Sequence, residues 1–240
     1  MKTINDNILE KLIINKTFTD EKEKYFIYKL DKKWRIKIFD FQWKEFNTYK
    51  FNVYIDGLNI ELDAEGYTKK MYEEGTHKIY IENIDNISNC ANMFYKCNQL
   101  IEVPEFNTKY VRNMESMFYE CTKLETVPLF NTDKVNNMEY MFCGCENLIS
   151  VPKFITTSVV NMKKMFCDCK KIKTIPMFDT TNVQDMTLMF ELCKRLESVP
   201  LFVINENTNL KNMFYNCNEL NMKTKQEWSQ IYDFDKHDKK

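Results

Sequence analysis

One phrase returns every 24 residues through more than half of this 240-residue chain. Phenylalanine stands at Phe94, Phe118, Phe142, Phe166, Phe190 and Phe214, each directly preceded by methionine. Cysteine follows three residues later, at Cys97, Cys121, Cys145, Cys169, Cys193 and Cys217. An aliphatic residue comes next, at Leu100, Leu124, Leu148, Ile172, Leu196 and Leu220. A Val/Ile-Pro-x-Phe unit then closes the phrase five times, with prolines at 104, 128, 152, 176 and 200. A fixed period of this length is the mark of a solenoid, in which each copy forms one coil and stacking buries the flanks of its neighbours.

Within a copy the hydrophobic period changes. Val111, Met114, Met117, Phe118 and Cys121 follow helical spacing, which predicts one short helix per coil. Leu124, Val127 and Phe130 fall in a stretch too short and too proline-marked for a helix, which predicts extended chain. Proline cannot donate to a ladder, so the coil turns at each Pro. Asn89, Asn113, Asn137, Asn161, Asp185 and Asn209 share the register just before the helical run, where an N-cap side chain belongs. Thr108, Thr132, Thr156 and Thr180 form a second polar row, expected at a turn.

Residues Asn131–Phe154, "NTDKVNNMEYMFCGCENLISVPKF", resemble the BspA-like leucine-rich repeats, in particular the "NM..MF..C..L..VP.F.T" subtype of bacterial surface proteins. The resemblance covers about Ile84–Leu220. It implies a leucine-rich-repeat solenoid with binding or adhesive roles and no catalysis. Two features depart from the family pattern: the export signal its members usually carry is not evident, and "VINENTNL" (203–210) replaces the consensus in the last coil, as a capping coil does.

The flanks lack the period. "KYFIYKL", "WRIKIFDFQ", "KFNVYI", "LNIELD" and "THKIYIENI" alternate apolar and polar residues and read as strands, with a hairpin turn at Asp56–Leu58. A short helix is expected over about Asn5–Ile14. After the coils, Trp228, Ile231 and Tyr232 are spaced as on a helix that closes the open end, followed by a short charged tail, "DKHDKK". The architecture is therefore α+β: a small antiparallel β unit over residues 1–80, a leucine-rich-repeat solenoid of about six 24-residue coils over 81–220, and a capping helix and tail over 221–240.

Several chemistries are disfavoured. Four scattered glycines exclude a Gly-rich phosphate loop, and two histidines, His77 and His237, are few for a metal site. A formal net charge of −1 with interspersed signs offers no footprint for nucleic acid. No apolar run approaches the roughly 20 residues of a membrane helix. Together with the missing signal peptide, this leads to an intracellular expectation, whereas the family resemblance implies the cell surface or secretion.

Six of the nine cysteines stand in the repeat register, where a small buried hydrophobe fits. Cys143 and Cys167 fall outside it, adjacent in the stack, and are expected to be exposed or half-exposed thiols. With Cys145 and Cys169 they offer four thiolates, but C-x-C spacing differs from the usual zinc knuckle, so no metal is assigned. A Cys143–Cys167 bridge is the alternative in an oxidising compartment. The variable positions are the residue between Pro and Phe (Glu105, Leu129, Lys153, Met177, Leu201) and the residue after the repeat Phe (Tyr95, Tyr119, Cys143, Cys167, Glu191, Tyr215). A constant core with variable surface rows makes an extended binding face. The candidate binding residues are thus Glu105, Leu129, Lys153, Met177, Leu201, Tyr95, Tyr119 and Tyr215. They serve a non-enzymatic module for an unknown protein or surface polymer, without a cofactor. Two alternatives stand beside it: an enzymatic or metal-dependent activity in the N-terminal unit or at Cys143 and Cys167, and a structural spacer or assembly element.

Overall fold

Alternation in "YFIYKL" puts Phe26, Tyr28 and Leu30 on one buried face, as a half-buried strand requires. In the computed structural model, which describes residues 24–40, 43 and 51–234, this segment is β1 (Tyr25–Leu30). It joins β2 (Val53–Ile55), β3 (Leu58–Ile60), β4 (Gly75–Ile81) and β5 (Leu100–Glu102) in an antiparallel sheet of order β3-β2-β4-β1-β5. The β2–β3 hairpin turns through Asp56 (φ 50°) and Gly57 (φ 83°), both left-handed, as a tight hairpin turn demands. β5 belongs to the first coil, so sheet and coil stack share an edge.

Over residues 34–40, "WRIKIFD" does not form the expected strand, and Phe41 and Gln42 lie outside the described residues. Residues 36–40 are all buried, so the expected alternation is absent, and the segment's pairing is reduced to the isolated bridges Trp34–Tyr72 and Lys37–Tyr67. The helix expected over 5–14 and the tail after 234 lie outside the described residues.

The coils correct the expectation of one helix each. Met114, Met117, Phe118 and Cys121 are fully buried as the spacing implied, but by another backbone. Phe118 donates its N–H to the Met141 carbonyl of the next coil (2.9 Å), Tyr119 to Ser116 within its own coil (3.1 Å), and Glu120 to Cys143 of the next coil (2.8 Å). Alternate amides thus bond across coils and back three residues, whereas an α-helix bonds every amide back four. The run is a chain of overlapping turns. It requires positive φ at every fourth residue, found at Ser116 and Glu120, Tyr140 and Gly144, Lys164 and Asp168, and Leu188 and Leu192. The expected strands of the coils are likewise reduced, beyond β5, to scattered bonds such as Ile149 N–H to Glu125 (2.9 Å) and the Thr174–Ser198 bridge.

The polar rows support this backbone. Asn113 Oδ1 accepts from the Glu115 N–H (2.8 Å), Asn137 from Glu139 (3.0 Å), Asn161 from Lys163 (3.0 Å) and Asp185 from Thr187 (2.8 Å). These side chains hold Asx turns rather than capping a helix, because only a two-residue reach is needed. The buried hydroxyls of Thr108, Thr132, Thr156 and Thr180 each donate to a carbonyl of the following coil, at 2.6–2.9 Å. Inside, Phe94, Phe118, Phe142, Phe166, Phe190 and Phe214 form one file of near-parallel rings 5.5–5.8 Å apart. Phe106, Phe130, Phe154, Phe178 and Phe202 form a second.

Both ends of the files are closed by aromatics. Phe26 of β1 meets Phe94 and Phe106. At the other end Trp228, at the close of α1 (Met222–Trp228), stands edge-on to Phe202 and Phe214. Trp228 and Tyr232 are buried as expected, but Ile231 lies past the helix and is exposed.

Left-handed backbone costs a non-glycine residue about 1–2 kcal/mol. Lys96 (φ 58°) is exposed and its Glu120 partner lies 3.6 Å away at the surface, an ion pair of little value. Lys96→Gly is expected to stabilise the fold by about 0.5–1 kcal/mol. Gly144→Ala is expected to destabilise by about 1–2 kcal/mol, because φ is +77° and the new Cβ would meet Glu120 Cγ at 2.9 Å. Urea unfolding midpoints of the two variants, moving in opposite directions, provide the check.

Candidate functional site

The Pro-x-Phe stretch alternates, so the buried Phe and Thr leave the residues on either side of each Phe facing solvent. Leu129, Met177 and Leu201 are 58%, 45% and 40% exposed, and Glu105 and Lys153 are exposed as well. The structure adds two residues that sequence reasoning passed over. Ile155 and Val203 stand directly after the buried Phe and are 51% and 61% exposed. A signal for them was present, since this position is Asn107, Asn131 and Asp179 in the other copies, and a change from Asx to a β-branched apolar residue at a wet position calls for a reason.

Glu105, Leu129 and Lys153 come together. With Lys24 and Ile155 they line an open groove of about 520 Å³ that crosses successive coils over the Phe106 and Phe130 rings. Its floor is apolar and its rim carries both signs of charge. Met177 and Leu201 do not line this groove.

The tyrosines differ. Tyr95 and Tyr119 are half-buried and stack on each other, with centroids 4.8 Å apart and planes within 7°. Tyr140 meets Tyr119 edge-on. Lys37 and Lys96 lie over Tyr95 at 5.8 and 5.4 Å. Burial, with Cys143 and Glu120 nearby, pushes the Tyr119 hydroxyl well above its ordinary range. Tyr215 is separated from this pair by the coils carrying Cys143, Cys167 and Glu191. None of the three tyrosines lines the groove.

All nine cysteines are buried and unbridged. The repeat thiols have a specific use: Cys121, Cys145, Cys169, Cys193 and Cys217 each donate Sγ–H to the carbonyl of the repeat Phe one coil back, at 2.9–3.1 Å. Cys143 and Cys167 correct the sequence reading. They are only 8% and 6% exposed: Tyr119 stands beside Cys143, and the Lys164–Glu191 ion pair (3.1 Å) stands beside Cys167. Cys167 Sγ donates to Glu191 Oε2 (3.3 Å) and adjoins Cys143.

His77 faces the Asp56 carboxylate through Nδ1 and the Glu73 carbonyl through Nε2, each at 3.0 Å. Among the described residues no group of three or more His, Cys, Asp or Glu side chains is placed to hold a metal. No helix among them is long and apolar enough to cross a membrane.

A family model described as "Mycoplasma protein of unknown function, DUF285" matches residues 66–173 and 125–228. No curated protein matches. Among solved structures, the chain is similar to a leucine-rich-repeat protein of T. pallidum, at 18% identity and a TM-score of 0.40, over 61% of this chain and 78% of that one.

The buried thiols couple stability to alkaline pH. Burial pushes Cys97 from an ordinary value of 9.0 up to about 12 and drives Cys121, Cys169 and Cys193 further. The folded chain therefore holds these protons more tightly than the unfolded chain does. Their contribution is complete below the unfolded value and is lost as pH rises through the folded one. Under a reductant, the urea midpoint is expected to be level up to about pH 8 and to fall increasingly above about pH 9. A midpoint that stayed level beyond about pH 10 would show that burial does not hold these thiols neutral.

Proposed function

Given that the chain belongs to the family described as "Mycoplasma protein of unknown function, DUF285", we propose that it is a non-enzymatic interaction module. The contact surface is the row of variable side chains beside the second Phe file. The carrying observation is the exposure of five large apolar residues, Leu129, Ile155, Met177, Leu201 and Val203, along one edge of a scaffold whose interior repeats almost without change. Apolar side chains that recur along one edge point to a partner more strongly than scattered ones do.

The partner class that fits is a folded protein or an extended polypeptide. The groove at Glu105, Leu129 and Lys153 offers an apolar floor between opposite charges, the composition of an interface core with a polar rim. Tyr95 and Tyr119 present ring edges outward, having stacked their faces on each other, and take a flanking role with Tyr215. The solenoid over residues 81–220 carries the contact, and the N-terminal unit over 1–80 supports its first coil.

The test compares the wild-type chain with a Leu129→Glu, Met177→Glu, Leu201→Glu variant and with Ile149→Glu, an equally exposed apolar site outside the row. Circular dichroism and urea unfolding first establish that each folds, since exposed substitutions shift stability by about 0.5 kcal/mol or less apiece. A partner captured by wild type and by Ile149→Glu is expected to bind the triple variant at least about tenfold more weakly, the effect of losing one moderate hot spot. Equal binding by all three proteins would remove the row from the interface. Unfolding of the triple variant would return its residues to the core.

A further inference from the structure

Two of the nine thiols have no part in the packing that explains the others. Five repeat cysteines are tied to Phe carbonyls and Cys97 to the Ile38 carbonyl, whereas Cys143 and Cys167 occupy the position after the repeat Phe, where the other coils carry Tyr95, Tyr119, Glu191 and Tyr215. They fall in consecutive coils, and Gly144 N–H donates to the Cys167 carbonyl at 2.7 Å, so the two backbones are bonded one ladder step apart. A ladder step of about 4.8 Å lies inside the range of about 4.4–6.8 Å that disulfide Cα atoms span. The two side chains adjoin in the stack, so bond formation asks for side-chain rotation and no change of fold.

We propose that Cys143 and Cys167 form a redox-active dithiol site, which a low-molecular-weight disulfide oxidises to an intramolecular disulfide joining two neighbouring coils. In the first step the Cys143 sulfur, as thiolate, attacks one sulfur of the oxidant R–S–S–R. A mixed disulfide forms, and R–S⁻ leaves and takes up the proton that Cys143 released. In the second step the Cys167 sulfur attacks Cys143 Sγ, its proton passes to Glu191, and the second R–S⁻ departs and is protonated in turn. Two protein thiols and one small disulfide become one protein disulfide and two small thiols.

The surroundings suit this order. Hydrogen bonding to Cys143, burial and the Glu191 carboxylate keep Cys167 protonated, so it acts second, with an acceptor for its proton 3.3 Å away. Lys164 holds that acceptor in place at 3.1 Å. The pair has a small solvent-reachable area, 8% and 6%, where Cys97, Cys121, Cys145, Cys169 and Cys193 have none; Cys217, at 7%, has its thiol engaged by the Phe190 carbonyl. The bridge spans the 24 residues of one period, and closing that loop limits the unfolded chain.

The test treats the full native chain with oxidised glutathione, alkylates the remaining thiols under denaturing conditions, and reads intact and peptide masses. The expected result is seven alkylated cysteines of the nine, with the missing two recovered as a Cys143–Cys167 disulfide peptide. A raised thermal midpoint, reversed by dithiothreitol, is expected with it. Cys167→Ser is expected to stop at a glutathione adduct on Cys143. Nine alkylated cysteines after oxidation, a persistent glutathione adduct on the wild-type chain, or a bridge mapped to any other pair would overturn the proposal.

Discussion

The alternation of backbone hydrogen bonds along the turn run governs this molecule. Within each coil one amide closes a turn three residues back and the next reaches the neighbouring coil, as at Phe118, Tyr119 and Glu120. A coil taken alone would leave half of these donors without a carbonyl, and buried unpaired amides are expensive. Stacking is thus a condition of the local backbone as well as a way to bury phenylalanine. The same arrangement explains the cysteines. From Phe94 to Phe190, each repeat Phe carbonyl already accepts one amide from its own coil, such as Cys121 N–H at 3.0 Å, and the thiol from the next coil supplies its second partner. A small side chain with one weak donor and no strong acceptor suits that position.

A directional ladder leaves carbonyls at one end and amides at the other. The N-terminal unit answers the first need rung by rung. Trp43 Nε1 donates to the Asn89 carbonyl (2.9 Å), Asp40 N–H to Met93 (3.1 Å) and Lys37 Nζ to Tyr95 (2.8 Å), while Lys37 also pairs with Asp40 in a largely buried ion pair. At the other end the aromatic closure by Trp228, Tyr232 and Phe234 is dense. The polar closure there differs: the Tyr232 hydroxyl approaches the Phe214 amide at 3.5 Å.

Much of this was legible in the sequence, and the part that was misread has a definite cause. Burial at Met114, Met117, Phe118 and Cys121 followed from spacing alone, as did the hairpin at Asp56–Gly57 and the closing role of Trp228 and Tyr232. The backbone type did not, because overlapping turns with a left-handed residue every fourth place bring the same positions inward as an α-helix does. Many of the residues in those left-handed places, among them Lys96, Tyr140, Leu188 and Leu192, are not turn formers and conceal the geometry, while Asn92, Gly144, Asp168, Asn212 and Asn216 hint at it. Cys143 and Cys167 were judged exposed from their register. They are covered because long neighbours, Tyr119 beside Cys143 and Lys164 beside Cys167, crowd them, and side-chain cover of that kind is invisible to a periodic pattern. Ile155 and Val203 were readable but were hidden by attention to the position before the Phe.

A surface row becomes free to vary only when nothing structural depends on it, and the hydrogen-bond pattern shows which positions meet that condition. The side chains of the Asn, Thr, Cys and Phe rows each serve a neighbouring coil or their own turn, so a change there is felt across the stack. The position before each Phe of the second file is under no such demand, and a mixture of Glu105, Leu129, Lys153, Met177 and Leu201 is tolerated because packing does not choose among them; the position after it is Asx where it closes a turn, as at Asn107, Asn131 and Asp179, and Ile155 and Val203 give that up. Leaving large apolar groups wet along such a row, where a polar residue would serve the fold equally well, is difficult to explain by folding. It is readily explained by contact with a second molecule.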